Sequence, residues 1–132
     1  MTRGKPATWW DGAVGRRAEV TRAFTRADLA GYAELTGDEL GEAVPEPLIA
    51  GMFSTLLGTS LPGNGTMYLK QRMDFPGRVG ADETVRAEVV ITAVRPEKAL
   101  VDLRTVASVG DRVVCEGEAL VMARQHPRGE EA

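Results

Sequence analysis

The sequence predicts an α+β domain in which a curved antiparallel sheet wraps one central buried helix. Two observations carry that prediction. The stretch 47–58, Pro-Leu-Ile-Ala-Gly-Met-Phe-Ser-Thr-Leu-Leu-Gly, is apolar on every side, and a helix without a polar face is a buried one. From Thr66 onward the chain alternates apolar and polar residues between short turns, the pattern of strands in a meander. A helix of this length is too short to cross a bilayer, which takes about 20 apolar residues. It must therefore be covered by the sheet.

Length and charge narrow the partners. The 132 residues suit one domain with a sizeable core. A formal net charge of -3 offers no basic field for nucleic acid or a membrane surface. Cys115 is the sole cysteine, so no internal disulfide and no cysteine-based metal site is expected, and a strand position makes it a small buried hydrophobe. No apolar leader opens the sequence, and the cytoplasm is the expected location. No cofactor and no metal is implied.

Residues 1–14 read as an N-terminal arm, with Trp9 and Trp10 pointing to opposite sides of an extended segment and one ring buried. The single domain spans 15–123. Arg17 to Phe24 is the first strand. Thr25 to Asp28 is a helix start, with Thr25 capping and Asp28 at the positive end. The helix carries Leu29, Tyr32, Ala33 and Leu35 at helical spacing and stops at Gly37. A short loop with Asp38, Glu39 and Glu42 leads to the central helix, whose first turn accepts Pro45 and Pro47 and which Gly58 ends. Thr66 to Phe75 is the next strand. Thr84 to Val94 places Val85, Ala87, Val89, Ile91 and Ala93 on one face. Ala99 to Val109 turns Val101, Leu103, Thr105 and Ala107 inward, and Arg112 to Ala123 closes the sheet. Residues 124–132 read as a flexible C-terminal tail holding the only histidine, His126.

Several runs resemble the MaoC-like hotdog family, whose best-known members are (R)-specific enoyl-CoA hydratases. They are Phe24–Leu29, Leu35–Asp38, Leu56-Leu57-Gly58, Leu61–Gln71 and Gly117–Ala119. The resemblance covers nearly the whole of 15–122 and implies a hotdog fold, an acyl thioester of CoA or acyl carrier protein as substrate, and edge-to-edge pairing into a homodimer or a heteromer with a catalytic hotdog protein. It also implies that Asp38 holds the position of the catalytic Asp. The family's catalytic His falls on Ala43, and its His-Gly pair at the helix head falls on Pro45-Glu46. The backbone N–H of that Gly receives the thioester oxygen. The loop is shorter than the family's by about a dozen residues.

Hydration needs a base for water and an acid for carbon. Asp38 with Glu46, or with Glu42, is the candidate catalytic pair, because two neighbouring carboxylates can split their titration. Asp38 could instead cap the central helix, and Glu46 is favoured in a first turn by the helix dipole alone. The backbone at Leu48 and Ile49, with Tyr68 and Gln71 on the following strand, forms the candidate substrate site. Ser54 and Thr55 are expected to bond the helix backbone four residues earlier. Three functions fit these residues: a hydratase or dehydratase with a degenerate site, a thioester hydrolase, and a non-catalytic subunit that binds acyl chains or joins a catalytic hotdog partner.

Overall fold

The computed structural model describes residues 3–4 and 7–125. Residues 126–132 of the predicted tail, His126 among them, and Met1, Thr2, Lys5 and Pro6 of the arm lie outside them. The elements run β1 (Arg3–Gly4), α1 (Ala7–Trp10), β2 (Arg17–Ala23), α2 (Arg26–Thr36), α3 (Glu46–Thr59), β3 (Thr66–Asp74), β4 (Thr84–Arg95), a 3-10 turn (Pro96–Lys98), β5 (Leu100–Val109) and β6 (Arg112–Gln125). β6 thus continues two residues into the stretch read as tail.

Every long strand pairs antiparallel, in the order β2-β4-β5-β6-β3, and β1 adds two residues against the end of β6. α3 packs on the concave side against β2, β3 and β4. No helix among the described residues is long and apolar enough to cross a membrane.

α2 forms where the sequence places it. Thr25 accepts from the Asp28 N–H, Asp28 accepts from the Thr25 N–H, and Gly37 closes the helix at φ 81°. α1 differs from expectation. The two tryptophans sit on a helical turn, so neighbouring side chains need not oppose each other. Their rings meet edge to face at 4.8 Å, and both are half-buried against the core.

The central helix departs from the prediction in one important way. Ile49, Met52, Phe53, Leu56 and Leu57 are buried, a single stripe at helical spacing. Glu46, Pro47, Gly51, Ser54 and Thr55 are exposed on the other side. The loop from 37 to 45 is only nine residues long, too short to wrap back over that side as well as join the helices. The exposed positions after the first turn are all small or hydroxylic, and that was the signal available in the sequence.

Three irregularities bend the strands. Thr92 is skipped in the β4–β5 register, so Ala93 faces outward and Val94 takes the inward position opposite Val101. The expected inward position of Ala93 is therefore corrected by a bulge, which shifts alternation by one. Val114 is skipped opposite β5, which lets Val114 and Cys115 both be buried. Leu69 is skipped in β3. The inward faces of β4 and β5 otherwise match the prediction, with Val85, Ala87, Val89, Ile91, Val101, Leu103, Thr105 and Ala107 all buried. Thr105 buries its hydroxyl without a partner among the described residues, an expense a valine would avoid.

At Gly117 of β6 the backbone of β3 leaves no room for a side chain. A Cβ added there would lie 1.8 Å from the Arg72 carbonyl oxygen and 2.9 Å from the Met73 Cα. Both are backbone atoms, so relief requires moving the strand. Gly117→Ala is expected to lower unfolding free energy by about 2 kcal/mol or more, measured by urea denaturation. A midpoint unchanged from the parent would show that β3 is loosely held.

Candidate functional site

The head of α3 is built by its approach. The Val44 N–H donates to the Val79 carbonyl at 2.7 Å, and Ala43 bridges to Gly80. These bonds hold the chain so that helix begins at Glu46, with Pro45 as its N-cap and Pro47 in the first turn. Pro45 provides no side-chain cap. Asp38 does not cap the helix either; its backbone N–H donates to Thr36 Oγ1 at 3.3 Å, and its carboxylate is exposed. The capping alternative for Asp38 is thereby removed.

The amides at this head are not equivalent. The Leu48 N–H donates to the Pro45 carbonyl at 3.0 Å. Ile49, four residues beyond Pro45, falls on the regular helical ladder, and its side chain is buried. Pro47 has no N–H. The Glu46 N–H has no acceptor among the described residues, as the first position of a helix requires. At the positive end of α3 the Leu48 N–H is therefore committed and the Glu46 N–H is not.

Asp38 and Glu46 are both exposed, and no hydrogen bond joins them. Glu39 and Glu42 are exposed as well. The negative charge of Glu46 is felt at Cys115. Burial first, and then the carboxylates of Glu46, Asp74 and Glu116, push that thiol up to about 11.

Tyr68 and Gln71 share a face because of the bulge. Strict alternation would place residues three apart on opposite faces. With Leu69 skipped, Tyr68 pairs with Val121 and Gln71 with Ala119, which are two apart and both buried. Both side chains thus belong to the concave side. Burial raises the Tyr68 phenol above its ordinary pKa, and the Ser54 hydroxyl opposes that rise. Ser54 therefore meets β3. Thr55 does bond the Gly51 carbonyl four residues back, at 3.1 Å, as expected. Gln71 Nε2 donates to Met73 Sδ at 3.8 Å. Arg72 is engaged by Asp74 and Glu118 on the outer face.

A mainly apolar space lies on the other flank of α3. A groove of about 510 Å³ runs between β2, α2 and α3, and Leu48 is the one sequence-predicted site residue that lines it. No stretch of the sequence marked this groove, because its walls come from three separate elements.

No family model matches the chain. It is 34% identical to a 3-hydroxybutyryl-CoA dehydratase of Methylorubrum extorquens, covering 90% of this chain and 83% of that protein. It is 35% identical to an (R)-specific enoyl-CoA hydratase of Rhodospirillum rubrum, covering 82% and 85%. Among solved structures it resembles the (R)-hydratase of Aeromonas caviae involved in PHA biosynthesis, at 34% identity with a TM-score of 0.76, covering 82% of this chain and 94% of that one.

The Cys115 thiol offers a direct check of the packing at the helix head. With its pKa at about 11, roughly one thiol in a thousand is ionised at pH 8. Labelling by a thiol-disulfide reagent at pH 8 is expected to be negligible in the native protein and complete within minutes in denaturant. Fast native labelling would mean that β6 and the helix head are open to solvent.

Proposed function

The chain belongs to the MaoC-like hotdog family of (R)-specific enoyl-CoA hydratases, and on that footing we propose that it acts on acyl thioesters of CoA or a carrier protein by hydratase or dehydratase chemistry at a reduced site. The observation that carries this reading is identity of 34–35% over 82–90% of the chain to relatives named for that chemistry.

The geometry supports a division of labour. The unpaired Glu46 N–H stands at the position of the family glycine and aims a helix N-terminus at the thioester oxygen, where negative charge develops. Asp38 takes the proton from the attacking water as the C–O bond forms, and the resulting carboxylic acid returns a proton to the α-carbon as the enolate collapses. Tyr68 and Gln71 line the concave side toward β3. The carboxylate of Glu46 itself works against an oxyanion nearby, which lowers the expected rate.

One observation favours a second reading. Asp38 is exposed, and Ala43 stands where the family has its histidine. A lone solvated carboxylate is a weak base near neutral pH. A subunit that binds the thioester while a catalytic hotdog partner supplies the chemistry accounts for both facts. The reading with chemistry is tested by turnover of crotonyl-CoA, followed as loss of enoyl absorbance. Activity in the parent should fall by about 100-fold or more in Asp38→Asn. A folded parent without turnover would move the assignment to the binding subunit.

We also assign the second subunit to β3. This strand pairs only with β6 among the described residues and exposes Met67, Tyr68 and Leu69, an unprotected edge of the sort that proteins cover. Sedimentation equilibrium should return twice the mass of one chain, and Met67→Lys should shift the protein toward monomer. A monomeric parent at micromolar concentration would rule out pairing of identical chains.

A further inference from the structure

The groove between β2, α2 and α3 has the character of a ligand site. Its volume of about 510 Å³ lies within the range of about 300–1,000 Å³ typical of small-molecule pockets. β2 and the turn after it contribute Val20 and Phe24, α2 contributes Tyr32 and Leu35, and α3 contributes Leu48 and Met52. Of its two charged lining residues, Asp28 is committed to the Thr25 N–H at 2.9 Å. Leu35, on the rim, is 87% exposed.

Two glycines also line the groove, Gly31 in α2 and Gly51 in α3. Glycine inside a helix is destabilising relative to alanine. A positive φ or a crowded neighbour normally explains it. Neither applies here: both residues have helical backbone without positive φ, and a Cβ added at either would meet nothing within 4 Å. Gly58, the other unhindered glycine of α3, is next to last in the helix, where the cost is smaller. What Gly31 and Gly51 have in common is that a side chain at either would fill the groove.

The groove is continuous with the helix head. Pro47 and Leu48 line it and directly follow Glu46, whose N–H is unpaired. From Pro47 to Thr55, both in the lining, the helix axis advances about 12 Å. That is the extended length of roughly ten acyl carbons at about 1.25 Å each.

We propose that this groove seats the acyl chain of a thioester whose carbonyl lies at the Glu46 amide, and that it selects chains of about eight to ten carbons over four-carbon ones. The inference rests on the acyl-thioester reading above and adds the substrate class to it.

Calorimetric titration of the full chain with decanoyl-CoA and butyryl-CoA tests it without requiring turnover. The parent should bind decanoyl-CoA at least about tenfold more tightly, because the added methylenes leave water. In Gly51→Phe that preference should shrink to about twofold or less, since the ring occupies the space the chain needs. The open surroundings of Gly51 make the variant's melting temperature equal to or above the parent's, and that is recorded alongside. A parent that binds both thioesters equally would overturn the groove assignment while leaving the thioester reading in place. A preference that survives in folded Gly51→Phe would do the same. A folded parent that binds neither would overturn both.

Discussion

One contact organises this protein: the stripe of Ile49, Met52, Phe53, Leu56 and Leu57 pressed into the concave side of the sheet. Those five side chains belong to one core cluster with the inward residues of β4, β5 and β6, and the helix itself packs against β2, β3 and β4. Burial of apolar surface is the dominant favourable contribution to folding. Because the stripe occupies one side of the helix, the opposite side is left for something else. The groove and the exposed small residues follow from that asymmetry.

The sheet reaches around the helix by local departures from regular pairing. Skipped residues at Thr92, Leu69 and Val114 each shift alternation by one and increase twist. The shift at Leu69 also re-aims two side chains. It turns Tyr68 and Gln71 to the same face and sets Tyr68 against Ser54 of the helix. At Gly117 the approach of β3 is close enough that the backbone of one strand fills the space a side chain would need. β3, the outer strand, is thus held by geometry rather than by a large apolar contact, since its exposed face is turned to solvent.

At the candidate site the balance of electrostatics is unusual for a hydratase relative. The helix head offers one uncommitted N–H, at a residue whose own side chain carries negative charge. The carboxylate matched by resemblance to the family's catalytic Asp is exposed to solvent. Binding and turnover are therefore separate questions for this chain.

The amino-acid sequence by itself determined the fold class, the order of elements, the capping of α2 by Thr25 and Asp28, the inward rows of β4 and β5, and the family. These depend on period, on caps and turns, and on motifs, all of which are local in the chain. It also singled out Asp38 and Ala43 as the positions that the resemblance matches to the family's catalytic Asp and His. Only the tertiary structure decided which amide at the helix head is free, because that depends on whether Pro45 accepts from Leu48. It decided the faces of Ala93, Val94, Tyr68 and Gln71, because a bulge is a property of two paired strands rather than of one. It decided that α3 is covered on one side only, because coverage depends on where a nine-residue loop runs in space. The groove was equally out of reach, since residues from 20 to 55 become its walls only when three elements are brought together by the packing of the helix on the sheet.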